Sequence, residues 1–506
     1  MSTVDRLLGR VTMYRLVTLT LGAVLLAAVV LAVLGPVQQD PLAIVVTAAV
    51  AVGTSVLAGR ACGALWRTRV HTESAVITGL ILALLFWPQL TVGSLAVVAL
   101  AALLGALSKF VVAVRSRHVL NPAAAGALVA GLVAAPFGGF PAAWWVATPA
   151  LLPVVAIAAL TVVLRTRRGA LVLTYLAIAL AVLLPRLVTG GAAPLDALLT
   201  ALQSYPLVFA AGFMLTEPLT LPPRRWQRLT VAGLVGAVTV LPFSLGTVLY
   251  ASPELALVVG NVLAFTVGQR RAVHLRVRAH RMVTPGIREV AFASDAAVRF
   301  RPGQWIELHV PHNAADARGS RRVFSLATPP DHADGVAVAF RLTDAPSSFK
   351  QALSALPEGG LVRATGVGGD FLLPKDATVP LLLVAGGIGI TPFVSQLADL
   401  ARSGQTRDVV VVLLVAPGDE PAYTDVLEAS GARVVVVSPR RPATLPEAWA
   451  FAEAPTLDAA ALHATVPDAA GRTAYVSGSP GMVDYARRVL RRAGVRRVRT
   501  DAFSGY

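Results

Sequence analysis

The chain has 506 residues, of which 55% are hydrophobic and 14% charged, and its mean hydropathy is +0.68. This composition excludes an ordinary soluble multidomain protein and predicts a chain that lies partly in a bilayer. The net charge of +16 would favour nucleic acid in a soluble protein, but many arginines border apolar runs, so we expect no nucleic-acid partner. The single cysteine, Cys62, excludes a disulfide framework and an iron–sulfur cluster in this chain.

Residues 1–268 contain nearly all the long apolar runs and are predicted to form a polytopic all-α membrane domain. A helix needs about 20 residues to cross the hydrocarbon core, and ten segments approach that length. Some are short, so half-helices or re-entrant segments remain open. The predicted spans cover residues 14–35, 42–59, 74–88, 91–107, 120–135, 144–164, 169–187, 199–219, 228–248 and 251–267.

Basic residues fall in alternate connections of this domain, as the positive-inside rule expects. The connections that contain Arg60, Lys109, Arg165 and Arg224 are basic, whereas the opposite connections are nearly free of Lys and Arg. The prediction is a multi-pass plasma membrane protein with both termini in the cytoplasm. The first apolar run, after Arg15, is expected to be an uncleaved helix because it lacks a convincing small-residue cleavage site.

Histidines are scarce in this domain. His71 and His118 are its only two, and both lie in basic connections. Haem held between paired membrane histidines, as in ferric reductases and NADPH oxidases, is therefore excluded. We interpret both histidines as interfacial residues and expect no haem and no metal site.

Three segments resemble one membrane family: SAVITGLILALLFWP (74–88), LNPAAAGAL (120–128) and FMLTEPLTLPP (213–223). The family is RnfD/NqrB, which contains the membrane subunits of Rnf complexes and of the sodium-pumping NADH:quinone reductase. The resemblance implies ten helices arranged as two inverted repeats that enclose a flavin.

Two proline steps support this interpretation. Asn121 and Glu217 each precede a proline, and such breaks mark internal sites in repeat-built membrane proteins, although ordinary kinks would look the same. We expect Asn121 to contact the flavin. Glu217 is interpreted either as a structural ion pair with Arg224 and Arg225 or as a functional intramembrane carboxylate.

The stretch WWVATPALLP (144–153) opens the sixth predicted span, on the extracytoplasmic side by this topology. In the RnfD/NqrB family, an FMN is attached through a phosphoester to a threonine in a Ser/Asp-Gly-Ala-Thr motif on that side. This chain keeps the Ala-Thr step and the proline but has Trp145 and Val146 at the two preceding positions. The resemblance implies covalent FMN on Thr148; an unattached flavin nearby, and an interfacial tryptophan belt beside a helix start, remain open.

Residues 269–375 contain short alternating runs, such as WIELHVP and VAVAFRLTD, that predict a small antiparallel β-barrel. Within them, RPGQW, RRVFSLAT and GGDFLLP resemble the ferredoxin-NADP reductase (FNR) superfamily, whose flavin motif is Arg-x-Tyr/Phe-Ser. The resemblance implies an FAD-binding domain. On a strand, Arg322 and Phe324 share one face, so the guanidinium would meet phosphate while the ring lies along the isoalloxazine.

Two serines complete the predicted FAD site. Ser325 ends the Arg-x-Phe-Ser motif and is expected to donate to flavin N5. Ser348, in APSSFKQAL, lies at a helix start and is interpreted either as a second phosphate contact or as a plain N-cap.

Residues 376–506 alternate buried strands with helices and predict an α/β doubly wound domain that binds a nicotinamide dinucleotide. Its first unit, VPLLLVAGGIGITPFVSQLADL, contains a strand, a glycine turn and a helix. The turn glycines allow the backbone to approach a pyrophosphate, and Thr-Pro opens a helix whose amino terminus favours anions. The residues concerned are Gly386, Gly387, Gly389, Thr391 and Pro392.

The last strand and helix, TAYVSGSPGMVDYARRVL, resemble the superfamily's Cys-Gly-x-Pro-x-Met motif, in which the cysteine lies beside the nicotinamide. Ser477 replaces the cysteine here, whereas Gly478, Pro480 and Met482 keep the motif. Nicotinamide binding is expected to survive, and the serine is expected to slow hydride transfer or to alter its geometry.

The chain ends DAFSGY, and in the superfamily a carboxyl-terminal aromatic residue often covers the flavin. Phe503 and Tyr506 are therefore interpreted either as flavin contacts or as simple packing residues. The predicted catalytic residues are Ser325, Ser477 and Tyr506.

The loop after the second strand of this domain contains Asp419 and Glu420, where a 2′-phosphate would approach. Acidic residues there disfavour NADPH and suit a ribose hydroxyl. NADH is the expected donor, and NADPH remains open.

Taken together, the patterns predict a membrane-bound NAD(P)H:acceptor oxidoreductase. Electrons would pass from NADH through FAD to a flavin in the membrane domain and on to an extracytoplasmic flavoprotein or a quinone, because FAD accepts a hydride and releases single electrons. The alternative is a redox-regulated membrane transporter or channel with a sensory reductase module.

Overall fold

The computed structural model describes residues 12–68, 70–114, 117–245, 249–268, 273–312, 316, 319–330, 332 and 335–503. The described residues form two compact units, one on each side of the 269–272 connection. Tyr506, a predicted catalytic and flavin-covering residue, lies outside the described residues.

The first unit is helical. Its helices are α1 (Met13–Leu34), α2 (Pro41–Leu65), α3 (Thr72–Leu85), α4 (Val92–Val111), α5 (Pro122–Ala134), α6 (Leu152–Thr166), α7 (Gly169–Thr189), α8 (Pro194–Gln203), α9 (Leu207–Met214), α10 (Arg225–Val240) and α11 (Pro253–Val267). Short polar caps followed by proline define several starts, because the cap side chain accepts a backbone N–H and proline needs none. Asp40 caps α2 in this way, Asn121 caps α5 and Ser252 caps α11.

Among the described residues, four helices are long and apolar enough to cross a membrane, namely α1, α2, α4 and α7. The bent pair of α8 and α9, which meet at 54°, would make a fifth. Helices α3, α5, α6 and α11 are apolar but shorter. The structure thus places a helix in each of the ten predicted segments but does not confirm ten full spans.

The prediction of a continuous helix over 144–164 is wrong at its start. Residues 144–151 are not helical, and α6 begins only at Leu152. Trp144 has a φ of 51°, a left-handed conformation that a helix cannot contain, and its N–H donates to the carbonyl of Leu85 instead. The backbone around Trp144 therefore bonds to the end of α3 rather than to its own segment.

The second unit begins with an antiparallel sheet. Its strands are β1 (Val273–Thr284), β2 (Ile287–Ser294), β3 (Trp305–His309), β4 (Arg321–Ser325), β5 (Val336–Arg341) and β6 (Leu361–Gly368), in the order β4-β3-β6-β1-β2-β5. Alternate residues of β1 point inward, so Leu275 and Val277 are buried while Arg276 is exposed. A bridge between Leu326 and Val338 joins the two edge strands, and helix α12 (Ser348–Ala355) packs against the same core.

A parallel sheet follows in the same unit. Its strands are β7 (Leu381–Gly386), β8 (Val409–Leu414), β9 (Arg433–Ser438), β10 (Ala450–Glu453), β11 (Thr473–Gly478) and β12 (Val498–Ala502), in the order β10-β9-β8-β7-β11-β12. The helices are α13 (Thr391–Arg402), α14 (Thr424–Ala429), α15 (Ala459–Thr465) and α16 (Pro480–Arg492). Strand β7 is a continuous apolar run because both of its faces are covered: Leu383 lies in one hydrophobic cluster and Leu382 in another.

Candidate active site

The glycine turn lies at the carboxyl end of β7, the edge where dinucleotides bind in open parallel sheets. Gly387 has a φ of 52°, which only glycine adopts without strain. A methyl group on Gly389 would overlap the backbone carbonyl of Ser477, and one on Gly386 would lie 2.6 Å from the terminal methyl of Met482. These glycines therefore let the ends of β7 and β11 pack together, in addition to the predicted role of letting a ligand approach the backbone.

Thr391 and Pro392 open α13, directly after this turn. The Thr391 hydroxyl donates to the carbonyl of Ile388 at 3.0 Å, which closes the turn onto the helix. The helix amino terminus thus faces the edge that holds the glycines, where its dipole favours an anion.

Ser477 is fully buried at the end of β11, and its hydroxyl has no hydrogen-bond partner among the described residues. Its neighbour in register on β12 is Asp501. Burial raises the pKa of Asp501 to about 6. Sequence reasoning missed Asp501; its one signal was an acidic residue in an otherwise strand-like end segment, beside a predicted nicotinamide contact.

Three more predicted residues lie at the same edge. Gly478 ends β11 and its carbonyl accepts the N–H of Phe503 at 2.9 Å, which holds the chain end beside the motif. Pro480 begins α16. The side chain of Met482 fills the space that is open because Gly386 and Gly478 have no side chain. The structure therefore brings the glycine turn, the Ser-Gly-x-Pro-x-Met motif and Phe503 to one edge.

The predicted flavin motif lies on the edge strand β4. The Arg322 guanidinium lies 5.3 Å from the ring centre of Phe349, and the Phe324 ring lies 5.8 Å from the same centre. Both side chains thus share the strand face that α12 covers. Arg322 also donates to Asp316 Oδ1 at 3.1 Å and to the carbonyl of Gly319 at 3.0 Å.

The start of α12 separates the two interpretations of Ser348. The cap of this helix is Ser347, whose hydroxyl accepts the N–H of Lys350 at 3.4 Å, so the plain N-cap interpretation of Ser348 is wrong. Ser348 is the first helical residue, and its hydroxyl bonds to His312 at 3.0 Å and accepts the N–H of Asp316 at 2.9 Å. Together with Arg322, these groups form one polar cluster at the helix start.

Ser325 ends β4 where the antiparallel sheet meets the parallel-sheet region. Three residues later, the carbonyl of Thr328 accepts the hydroxyl of Ser395, on α13, at 2.7 Å. Ala327 packs in the same hydrophobic cluster as Phe393. These contacts within the second unit bring the flavin motif and the glycine-turn helix together.

Both acidic residues of the 419–420 loop have protein partners. Asp419 pairs with Arg341 at 2.8 Å, and the Glu420 carboxylate accepts the N–H groups of Ala443 and Thr444. Hydrogen bonds from Thr444 lower the pKa of Glu420. The loop is therefore held by its acids, and the expected ribose contact would have to compete with these bonds.

Arg440 and Arg441 follow the carboxyl end of β9, on the same edge as the glycine turn. The Arg441 guanidinium lies 5.7 Å from the ring centre of Phe451. An arginine at this edge accommodates a 2′-phosphate in dinucleotide-binding folds. Sequence reasoning missed these residues, although Ser-Pro-Arg-Arg directly after a strand was the available signal.

In the first unit, Thr148 lies in the turn before α6. Its carbonyl accepts the N–H groups of Leu151 and Leu152, while its hydroxyl is buried without a hydrogen-bond partner among the described residues. The preceding tryptophans are interior: Trp145 is 2% exposed and donates to the carbonyl of Ala83 at 2.8 Å. The alternative of an interfacial tryptophan belt is therefore wrong, because both indoles are buried.

Asn121 joins three parts of the first unit. Its Oδ1 accepts the N–H of Ala124, its Nδ2 donates to the carbonyl of Met214, and its N–H donates to Asn261 Oδ1 at 2.7 Å. These bonds join the start of α5 to the end of α9 and to the middle of α11. The contacts shown are structural, and a flavin contact by Asn121 stays a prediction.

Glu217 has a partner that the sequence did not suggest. Its Oε1 lies 2.9 Å from His118 Nε2. The structure therefore pairs this carboxylate with His118, whereas the sequence predicted a pair with Arg224 and Arg225. Its Oε2 is buried without a hydrogen-bond partner among the described residues.

Glu254, in the first turn of α11, is a buried carboxylate that sequence reasoning missed. Trp144 Nε1 donates to its Oε2 at 2.7 Å. Buried ionisable groups in apolar helical units are costly and mark functional positions. The signal was a glutamate beside Ser-Pro at the start of an apolar run.

Comparison with known proteins gives matches for part of the chain. No protein-family model matches it. Ferredoxin--NADP reductase B of Sorangium cellulosum (strain So ce56) is 29% identical over 163 residues, which are 32% of this chain and 65% of that protein. The phenol 2-monooxygenase reductase component DmpP of Pseudomonas sp. (strain CF600) is 27% identical over 207 residues, 40% of this chain and 57% of that protein.

Among solved structures, the cytochrome P450 reductase GcoB of Amycolatopsis aligns with 46% of this chain and 70% of its own, at 25% identity and a TM-score of 0.39. The chain spans less than two thirds of either curated relative described above. Both relatives are named as reductases or reductase components. The carboxyl-terminal half of this chain is therefore an NAD(P)H-dependent flavin reductase module that is similar to ferredoxin-NADP reductases.

Proposed function

We propose that the whole chain is a membrane-bound NAD(P)H:acceptor oxidoreductase. Electrons pass from NADH through FAD to a flavin in the membrane domain, and from there to an extracytoplasmic flavoprotein or a quinone. The observation that carries the proposal is the convergence, within the reductase module, of the glycine turn, the buried Ser477 and the strand that ends at Ser325.

The surface of the first unit supports its place in a bilayer. On α1, Leu19, Leu26 and Val33 are 57%, 65% and 68% exposed and recur every seven residues along one face. A soluble unit would leave few such stripes uncovered. Hydrocarbon is the solvent that suits this surface, and the arginine-rich connections orient the unit with its termini inside.

The residues of the module fit the two cofactors. Arg322 and the start of α12 provide a guanidinium and helix N–H groups that suit phosphates. The buried Ser477 hydroxyl has no hydrogen-bond partner among the described residues, so it can bond to a ligand. FAD, when bound, supplies the exchange between a two-electron hydride and single electrons. The chain's own residues shape the edge that would hold the donor. Gly389 and Gly478 let the backbone segments there approach closely, and Asp501 is the register neighbour of Ser477 on β12.

A carrier in the membrane domain is needed if the acceptor lies outside, since roughly 30 Å of hydrocarbon separates the two faces. Without haem ligands or cluster cysteines, flavin is the remaining protein-bound candidate. The buried hydroxyl of Thr148, which has no partner among the described residues, supports an FMN at this turn. Because that hydroxyl is enclosed, a phosphoester would have to form before the turn packs against α3.

Flavin analysis of variants tests the module assignment. Arg322→Ala should lose FAD, measured as flavin released on denaturation per chain, because its guanidinium is the group placed to bind phosphate. Arg402→Ala removes an exposed arginine of α13 and serves as the control. A full flavin complement and unchanged NADH oxidation in Arg322→Ala would contradict the assignment.

Mass spectrometry tests the membrane flavin. The peptide that contains Thr148, from protein made in its native host, should carry an added FMN moiety that is absent from Thr148→Ala. An unmodified peptide at full occupancy would exclude covalent attachment and leave two alternatives, an unattached flavin near this turn or no flavin in this unit.

A redox-regulated transporter is the second candidate, favoured by one observation: the buried Glu254 lies at a helix start in a unit with broken helices, a feature of transport sites. NADH-driven reduction of an added acceptor by the purified chain separates the two functions. An enzyme turns over the acceptor continuously, whereas a sensor stops once its own flavin is reduced.

A further inference from the structure

A cleft lined by arginines lies at the edge of the parallel sheet opposite the glycine turn. It has a volume of about 340 Å³, and its lining includes Arg491, Arg496, Arg497 and Arg499 together with Tyr475. A fifth guanidinium, that of Arg407, donates to the carbonyl of Pro374, which also lines the cleft.

The position of the cleft separates it from the cofactor edge. Thr473, a lining residue, is the first residue of β11, and Val379 lies just before β7. The predicted dinucleotide contacts lie at the opposite ends of these strands, at Gly386 for the pyrophosphate and at Gly478 for the nicotinamide. Strands of six residues are roughly 17 Å long, so one dinucleotide phosphate group cannot occupy both edges.

The protein orients part of this arginine cluster without neutralising it. Arg499 donates to the carbonyl of Leu372 at 3.2 Å, and its guanidinium lies 5.7 Å from the ring centre of Tyr475. Arg491 donates to the carbonyl of Arg496 at 2.7 Å. Within the part of the chain that the structure describes, none of the four lining arginines has a carboxylate within ion-pair distance. Like charges held this close repel one another, and an anion would offset that repulsion.

The chemistry of the cleft defines its ligand. Guanidinium groups bind phosphate oxygens through paired hydrogen bonds, and four of them match several phosphate charges rather than one. The volume lies at the small end of ligand pockets, which favours a compact anion. We propose that this cleft binds a small soluble ligand that carries two or more linked phosphate groups, at a site separate from the NAD(P)H site.

Calorimetric titration of the full chain in neutral detergent tests the proposal, with tripolyphosphate as the probe and saturating NADP⁺ present. The double variant Arg496→Gln/Arg497→Gln should bind tripolyphosphate at least about tenfold more weakly, because two charge-assisted contacts are removed. Arg402→Gln removes one exposed arginine elsewhere in the module and should bind like the unchanged chain. Flavin content and NADH oxidation should stay the same in both variants, which shows that the module is folded.

Three results would overturn the proposal. The first is no binding by the unchanged chain, and the second is an equal loss in the control variant, which would indicate unspecific charge attraction. The third is an affinity for tripolyphosphate that is no higher than the affinity for glycerol 3-phosphate, which would show that linked phosphates are not recognised. The proposed oxidoreductase function does not depend on any of these outcomes, since it is measured by NADH oxidation.

Discussion

Ser477 and Asp501 are register neighbours on the adjacent parallel strands β11 and β12. The next residue of β11, Gly478, accepts the N–H of Phe503 through its carbonyl. The hydroxyl of Ser477 has no partner among the described residues, and burial raises the pKa of Asp501 to about 6. The edge proposed to hold nicotinamide therefore combines an unbonded hydroxyl with a carboxyl that changes charge near neutral pH.

Replacement of Ser477 should separate stability from catalysis. Ser477→Ala removes a buried hydroxyl without a partner, so the free energy of unfolding should stay equal or rise by about 1 kcal/mol. Ser477→Cys restores the residue found in the resembling motif and should raise the rate of flavin reduction by NADH in stopped-flow measurements. A slower Ser477→Cys enzyme would show that the serine does not limit hydride transfer.

Asp501→Asn should change how stability depends on pH. Because burial raises the pKa of Asp501 to about 6, the folded chain binds a proton that the unfolded chain has lost, and this stabilising contribution disappears as pH rises through 6. The variant has no such loss, so its advantage over the unchanged chain should grow between about pH 4 and pH 6, to at most about 3 kcal/mol. Urea unfolding at a series of pH values measures the free energy of unfolding of both chains. A difference between them that does not change with pH would contradict the raised pKa of Asp501.

Gly389→Ala should destabilise the reductase module strongly, since the added methyl group would overlap the backbone carbonyl of Ser477. We expect a loss of about 2 kcal/mol or more together with lost NADH oxidation, because overpacking at a backbone contact cannot relax by rotamer change. Gly471→Ala is the matched control: nothing lies within 4 Å of its added methyl. Equal melting temperatures of the two variants would refute the close approach.

The nucleotide preference can be tested at the end of β9. Arg440→Ser/Arg441→Ser should raise the KM for NADPH about tenfold or more and leave the KM for NADH nearly unchanged, because only NADPH carries the 2′-phosphate. Steady-state assays with both donors measure the difference. A parallel rise for NADH would mean that the arginines support the edge rather than read the phosphate.

Reporter fusions test the orientation of the membrane domain. Fusions after Arg168 and after Arg271 should report a cytoplasmic location, and one after Phe140 should report an outside location, because basic connections stay inside. An outside signal after Arg271 would contradict the proposed topology and place the reductase module away from NADH.

Local patterns in the sequence determined much of this protein. The alternation of β1 predicts a half-buried strand, the apolar run of β7 predicts a strand covered on both faces, and the glycine turn predicts the nucleotide edge. Each feature depends on neighbours in the chain, so periodicity and turn chemistry suffice. The positions of the apolar helices in the first unit follow from apolar runs in the same way.

Only the tertiary structure decided the partners of the long-range polar groups. Glu217 pairs with His118 and Trp144 with Glu254, although 99 and 110 residues separate them in the chain. It also decided that α6 starts at Leu152, since the N–H of Trp144 bonds to the end of α3 instead of entering a helix. Such contacts depend on which segments meet after folding, and that meeting is governed by packing of the whole unit rather than by any local periodicity.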